Sequence, residues 1–361
     1  MSSVLNFNAG PAALPPSVLQ RVQAELLDFD GSGMSIMEMS HRSKTFEAIN
    51  ARAEANFKRL IGVEDGYRVV FLQGGASTQF AMVPMNFLPT GGVADYLVTG
   101  TWGDKAIEEA ALFGRPHLAA LTKGTGYSRV PTASEIRVSE NPAYVHLTSN
   151  ETIQGVQYAD FPNLGTAPLV ADMSSDILSR PIDAGRFSLI YAGAQKNLGP
   201  SGVTVVLIRE SWLEQANKGV PTMLRYSTAV KNNSLYNTPP MFGIYVLDLV
   251  LQWLDGLGGV SGIAAINETK ASCLYGAIDD SLGFYQGHAS PESRSKMNVT
   301  FRLRTEELEK RFLAEAQKAG MVGLAGHRSV GGVRASIYNA IGLEACQALG
   351  SLMRDFAKKN G

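Results

Sequence analysis

Tyr191-Ala192-Gly193-Ala194-Gln195-Lys196-Asn197-Leu198-Gly199-Pro200-Ser201-Gly202 lies between two apolar runs, Phe187-Ser188-Leu189-Ile190-Tyr191 and Val203-Thr204-Val205-Val206-Leu207-Ile208. Both runs read as buried strands. The connection carries one lysine among small residues, which let the backbone bend and let a flat group approach closely. A lysine in such a place is poorly solvated. Its ammonium pKa falls, and the amine becomes a nucleophile suited to forming an imine with an aldehyde. The ordinary alternative is a solvated hairpin with a surface lysine, and the rest of the chain has to decide between them.

Upstream, Arg68-Val69-Val70-Phe71-Leu72 reads as a strand that runs into Gln73-Gly74-Gly75-Ala76-Ser77-Thr78, with a helix beginning about Thr78. Strand, glycine turn and helix start together present backbone N–H groups and a positive dipole end to a phosphate. Neither the nucleotide P-loop nor GxGxxG is matched here. Further strands are expected at Ala94–Val98, His117–Leu121, Tyr144–Leu147 and Leu169–Ala171, the last ending in Asp172. Strand and helix therefore alternate from about residue 65 to 210, the pattern of a mainly parallel sheet covered by helices. In open α/β sheets ligands gather at the carboxyl ends of strands. Ser77, Trp102, Thr152, Asp172 and Lys196 all fall at or just past such ends.

The flanking regions complete the outline. Ser17 is expected to N-cap a helix reaching Leu27, and a second helix is expected from about Lys44 to Leu60. Between them a glycine-rich stretch ends on His41-Arg42, which is either plain surface charge or an anion clamp. Asn233–Pro240 is a polar loop stopped by two prolines, followed by a long apolar helix at Ile244–Leu254. Gly256-Leu257-Gly258-Gly259 marks a domain junction, beyond which the texture becomes α+β. Helices are expected at Ile263–Ile278, Glu306–Ala319 and Leu343–Lys358, and strands at Met297–Leu303, Met321–Leu324 and Val333–Tyr338.

Composition narrows the function classes. The 361 residues are 45% hydrophobic and 18% charged, and 32 Lys and Arg nearly balance 33 Asp and Glu. That balance gives no reason to expect nucleic acid or an anionic membrane as partner. The two cysteines, Cys273 and Cys346, form neither metal-ligand spacing nor a disulfide framework. No metal is expected. The start of the chain lacks a basic segment followed by an apolar core, and no apolar run is long enough to span a bilayer, so the expectation is a cytoplasmic protein.

A lysine amine and an aspartate at neighbouring strand ends suit pyridoxal phosphate: the aspartate would keep the pyridine nitrogen protonated so that the ring accepts electrons. Trp102 offers a flat face for the ring, Thr152 a hydroxyl, and Gly75, Ala76 and Ser77 a phosphate cradle. At this point the chain is identified by resemblance. It closely resembles the phosphoserine aminotransferases, class V members of the fold-type I pyridoxal-phosphate enzymes. The similarity rests on Asn6-Phe7-Asn8-Ala9-Gly10-Pro11-Ala12, Ser35–Arg42, Tyr191–Asn197, Asn237-Thr238-Pro239-Pro240 and Gly326–Ser336.

The resemblance implies a large α/β domain with a mainly parallel sheet of the seven-stranded type over residues 16–257. It implies a smaller α+β domain from 1–15 and 258–361. It implies that Lys196 carries the cofactor, that Asp172 contacts the pyridine nitrogen, that Trp102 stacks on the ring and that Thr152 meets its hydroxyl. Ala76, Ser77 and Gln195 would hold the phosphate, with Asn237 and Thr238 reaching in from the second subunit of a homodimer. His41, Arg42, His327, Arg328 and Arg334 would bind substrate anions: L-glutamate, phosphoserine, 3-phosphohydroxypyruvate and 2-oxoglutarate. A role in serine biosynthesis, and a side role in pyridoxine biosynthesis, go with that activity. One departure stands out, since some members carry Gly-Gly-Gly-Arg where this chain has Gly74-Gly75-Ala76-Ser77. Rival readings are an alanine-glyoxylate aminotransferase, a cysteine desulfurase, or a phosphate-binding module without chemistry.

Overall fold

The apolar runs become strands buried on both faces, as a sheet covered by helices on each side requires. The computed structural model describes residues 4–361. Its central sheet contains β1 (Tyr67–Leu72), β2 (Val93–Val98), β3 (Arg115–Leu121), β4 (Val145–Thr148), β5 (Leu169–Asp172), β6 (Phe187–Gly193) and β7 (Thr204–Arg209). In space they lie in the order β1-β7-β6-β5-β4-β2-β3. β7 is antiparallel to both its neighbours, and the remaining pairs are parallel. The exception has a simple cause. β7 follows β6 through the short Lys196 loop, and a connection without a crossover helix joins only antiparallel strands.

Helices cover the sheet because their apolar residues recur at helical spacing. They include α1 (Pro16–Glu25), α2 (Lys44–Ile61), α3 (Gly75–Phe87), α4 (Thr101–Ala110) and α5 (Met241–Gly256). Ser43 caps α2 by accepting the Phe46 N–H at 3.2 Å, and Gly62 ends it in the left-handed conformation (φ 80°). Phe46, Ile49, Ala53 and Phe57 of α2 pack with Ile244, Leu247 and Leu251 of α5 under one face of the sheet. Phe80, Val83, Tyr96 and Tyr191 fill the opposite face. The buried Asp248 of α5 is held by Arg52 of α2 at 2.6 and 2.9 Å, which ties the two helices together.

α6 (Gly259–Asp279) leaves this layer and enters a second one. Val260 and Ile263 belong to the first core, whereas Ala271, Leu274 and Ile278 belong to a separate cluster with Phe7, Phe301, Phe312 and Phe356. That cluster joins an antiparallel sheet of β8 (Tyr285–Gly287), β9 (Asn298–Leu303) and β10 (Val333–Ser336) to α7 (Glu306–Lys318) and α8 (Leu343–Asn360). The N-terminal Leu5–Asn6 segment pairs in parallel with Met321–Val322. At the changeover along α6, the buried Lys270 donates to the carbonyls of Ile337, Tyr338 and Ile341 at 3.0, 2.8 and 3.0 Å.

Two local expectations are corrected. Ser17 does not cap α1: the helix starts two residues earlier, at Pro16, with Pro15 at the cap position. Proline is favoured at the first helical position because its missing N–H would have no partner there. α3 begins at Gly75 rather than about Thr78, so Gly75, Ala76 and Ser77 form its first turn instead of a preceding loop.

Candidate active site

The carboxyl ends of β1, β2, β4, β5 and β6 open on one edge of the sheet, and the turn of Gly75, Ala76 and Ser77, with Trp102, Thr152, Asp172 and Lys196, lies at or just past those ends in the chain. β6 ends at Gly193, and the turn beyond it presents the half-buried Lys196. Lys196 Nζ donates to Thr152 Oγ1 at 2.6 Å and lies 5.4 Å from the Trp102 ring centroid. Burial lowers the Lys196 ammonium pKa to about 8; Arg334 adds to that effect, and Asp172 and Glu151 oppose it. Gly10 allows the N-terminal segment to close over this side chain, because a Cβ there would sit 3.2 Å from Lys196 Cγ.

Asp172 closes β5 and is buried. Its Oδ1 accepts the Ser174 N–H at 2.9 Å and the Ser174 hydroxyl at 2.6 Å, and Ser174 Oγ in turn accepts the Gly193 N–H at 3.0 Å. Both protein bonds fall on one oxygen, which leaves Oδ2 for a ligand. Burial raises the Asp172 pKa, while the Lys196 charge and the Ser174 bonds pull it down. A cationic ring nitrogen at Oδ2 would act in the same direction as Lys196.

The first turn of α3 fits a phosphate. Gly74 precedes it at φ 94° with no side-chain cap, so the helix N–H groups are left for a ligand. A Cβ on Gly74 would fall 1.9 Å from Thr78 Oγ1, so this position needs glycine on steric as well as torsional grounds. Space beside Gly75 is open. Gln195 lies half-buried beside Lys196, its carbonyl accepting the Ala12 N–H at 2.9 Å. Trp102 stands in the first turn of α4, and its indole Nε1 is buried without a partner. An orphaned donor, an uncapped helix start, a free carboxylate oxygen and a low-pKa amine are what a phosphorylated, nitrogenous aromatic aldehyde would engage.

Arg334 arrives from β10 of the other layer, half-buried, and its Nη1 donates to the Thr152 carbonyl at 3.4 Å. His327 is near it: burial lowers the imidazole pKa first, followed by the charges of Arg334, Arg328 and Lys105. Arg328 is exposed. Among the described residues His41, Arg42, Asn237 and Thr238 make no hydrogen bond with Lys196, Thr152 or Arg334. Thr238 Oγ1 lies 3.4 Å from His41 Nδ1. The exposed Arg42 borders a hollow with Glu47, Glu54 and Asn233. Asn237 lines an apolar cavity of about 250 Å³ with Gly74, Thr78 and Met82.

Sequence reasoning missed Glu151, which is fully buried next to Thr152 and accepts the N–H groups of Trp102 and Gly103 at 3.0 and 2.8 Å. The signal was a lone charge in the otherwise neutral strand-end run Thr148-Ser149-Asn150-Glu151-Thr152. It also missed Asn197 and Asn339, joined by the Asn339 N–H donating to Asn197 Oδ1 at 2.9 Å, which fastens the Lys196 turn to the second layer.

The family described as Aminotransferase class-V matches residues 4–349. A phosphoserine aminotransferase of Herpetosiphon aurantiacus is 63% identical over 359 residues, which cover 99% of this chain and 100% of that one. The solved phosphoserine aminotransferase of Bacillus circulans subsp. alkalophilus superposes with a TM-score of 0.98 at 56% identity, covering 100% of both chains. A PLP-bound phosphoserine aminotransferase from Trichomonas vaginalis gives a TM-score of 0.93 at 37% identity, over 97% of this chain and 99% of that one. With its fold, its lysine-bearing turn and this full-length similarity, the chain belongs to the class-V aminotransferases.

Proposed function

We propose that this protein transfers an amino group between L-glutamate and 3-phosphohydroxypyruvate, yielding 2-oxoglutarate and O-phospho-L-serine, with pyridoxal 5'-phosphate as cofactor. The observation that carries the reading is the convergence of Lys196, Thr152 and Arg334 at one point between two layers. When bound, the cofactor supplies an aldehyde for the amino group and a ring that withdraws electrons from the carbon bearing it.

The chain's own residues have distinct tasks. The first turn of α3, with Ala76, Ser77 and Gln195, would hold the phosphate. Asp172 would keep a proton on the pyridine nitrogen, a charge-assisted contact whose value lies in preorganisation. Thr152 would meet the ring hydroxyl and Trp102 would cover the ring. The Lys196 amine, its pKa near 8, is suited to take and return the proton at the substrate α-carbon near neutral pH. Arg334 would fork onto the α-carboxylate common to both substrates. His327 and Arg328, with His41 and Arg42, would meet the distal anion.

The desulfurase alternative needs an accessible cysteine nucleophile. Cys346 is buried and its thiol is pushed up to about 12, while Cys273 sits against the Cys346 carbonyl in the second layer. Among the described residues no single helix is long and apolar enough to cross a membrane. We further propose a cytoplasmic homodimer in which Asn237 and Thr238 complete the partner's phosphate site. The resemblance of the Asn237-Thr238-Pro239-Pro240 segment to the family and the exposure of Thr238 support this. The apolar cluster of the second layer, separate from the two clusters on the faces of the central sheet, supports a large domain over 16–257 and a small one from 1–15 and 258–361.

The test is a half-reaction. Cofactor-loaded protein mixed with L-glutamate should lose its visible band and release 2-oxoglutarate, and with phosphoserine it should lose the band and release 3-phosphohydroxypyruvate. Efficient turnover of alanine with glyoxylate, and none of phosphoserine, would assign a different class-V activity.

A further inference from the structure

We infer that Glu151 is a positioning residue: by holding the first turn of α4 it fixes the plane of the Trp102 ring beside Lys196 and links that ring to the layer carrying Arg334. The inference rests on the cofactor reading above and deepens it.

α4 cannot cap itself, because the residue before it is Gly100 and no side-chain cap is made there. Glu151 supplies the cap from a distant strand end, with Oε2 on the Trp102 N–H (3.0 Å) and Oε1 on the Gly103 N–H (2.8 Å). The fit is steric as well. A Cβ on Gly100 would lie 2.5 Å from Glu151 Cδ, and one on Gly103 would lie 3.3 Å from Oε1. Glycine at 100 and glutamate at 151 thus occupy one space.

The grip is reinforced by Gln154, whose Nε2 donates to Thr101 Oγ1 at 2.8 Å. Glu151 and Gln154 lie in the short hairpin pairing Asn150–Glu151 with Val156–Gln157. The far side of that hairpin is fastened to the second layer. Thr300 Oγ1 donates to the Gln154 carbonyl at 2.7 Å, Asn150 Nδ2 donates to Asn298 Oδ1 at 2.8 Å, and Arg334 reaches the Thr152 carbonyl. Trp102, Lys196 and Arg334 are therefore registered against one another through the hairpin of residues 150–157.

Helix capping alone does not account for the cost. A carboxylate at a solvated helix start caps without losing its hydration, whereas a buried one is penalised unless fully compensated. Burial raises the Glu151 pKa to about 7; the Trp102 and Gly103 N–H groups and Lys196 offset this, and Asp172 adds to it. The carboxyl sits where it can act on the ring's support and on the charged pair at once.

Glu151→Gln, Glu151→Ala and Gly100→Ala test this. Each holoenzyme would be resolved and retitrated with pyridoxal phosphate, following quenching of Trp102 emission (isolated by subtracting a Trp102→Phe background) and the circular dichroism of the visible cofactor band. Glu151→Ala should lose most of the induced visible dichroism and slow the glutamate half-reaction about a hundredfold, with the glutamate saturation constant changed less than about threefold, as expected for misplacement rather than lost binding. Glu151→Gln keeps one acceptor and should fall between. Gly100→Ala, which displaces an intact Glu151, should reproduce the spectral loss; it and Glu151→Gln decide the matter if Glu151→Ala does not fold. Variants with wild-type dichroism, quenching and half-reaction rate but reduced melting temperature would overturn the inference and leave Glu151 a structural cap. A wild-type protein that forms no visible band with pyridoxal phosphate would overturn the cofactor reading, and this inference with it.

Discussion

Lys196 and Arg334 meet at a single residue from opposite sides: Lys196 Nζ donates to the hydroxyl of Thr152 at 2.6 Å, and Arg334 Nη1 donates to its carbonyl at 3.4 Å. The amine that would move the proton and the guanidinium that would hold the carboxylate are thereby set in one geometry. Arg334 also contributes to the lowered pKa of Lys196. Arg334→Ala should cut kcat/KM for glutamate and for phosphoserine by about a hundredfold or more, since a forked carboxylate contact is lost. It should also shift the basic-side reactivity of Lys196 to higher pH. Steady-state kinetics and a pH profile check both. Replacing His327 and Arg328 with alanine should impair phosphoserine more than glutamate, because phosphate carries more charge.

The low Lys196 pKa has a stability consequence in the cofactor-free protein. Its folded value, about 8, lies below the ordinary 10.5, so between those pH values the unfolded chain binds more protons and stability rises with pH. Lys270, also lowered to about 8 by burial, contributes in the same direction. Denaturant titrations from pH 7.5 to 10.5 should show this rise, and Lys196→Ala should reduce its slope. An unchanged slope would return Lys196 to an ordinary solvated pKa.

Borohydride reduction of loaded protein followed by peptide mapping should place the pyridoxyl group on Lys196. The rate of its attachment should climb with pH through a half-maximum near 8 and level off about a unit or more above it. Label on another lysine would refute the assignment.

Asp172→Asn keeps the shape of the side chain but removes the charge opposite the proposed ring nitrogen. The half-reaction should slow by about two to three powers of ten, the scale for removing one preorganised electrostatic contact. Stopped-flow traces with glutamate give the number directly, and near-normal rates would transfer the role to another carboxylate.

Subunit sharing is tested by complementation. Lys196→Ala protein mixed with a protein altered at Asn237 and Thr238 should regain activity after subunit exchange, because one site in the hybrid is intact. Failure to recover activity in a demonstrated hybrid would place the Asn237-Thr238 loop outside the partner's site.

Lys270→Met should destabilise the protein by about 2–4 kcal/mol, since three buried carbonyls lose their donor while the methylene packing is kept. A fall in the denaturation midpoint with unchanged glutamate kinetics per folded molecule is the expected result.

The amino-acid sequence alone determined the alternation of strand and helix, the turn that presents Lys196, the strand end that carries Asp172 and the glycine turn before α3. Each is written in local periodicity or in a conformation that only glycine takes readily, so neighbouring residues suffice to read it. The sequence did not reveal that β7 is antiparallel, that α3 starts at Gly75, or that Glu151 caps the helix bearing Trp102. Nor did it bring Arg334 to Thr152 across 182 residues. Those facts depend on which strand lies beside which and on what one layer finds when it packs on the other. A buried carboxyl or guanidinium takes its partners, and hence its pKa, from whatever the packed chain places within hydrogen-bond reach, and that is decided only when the two layers close on each other.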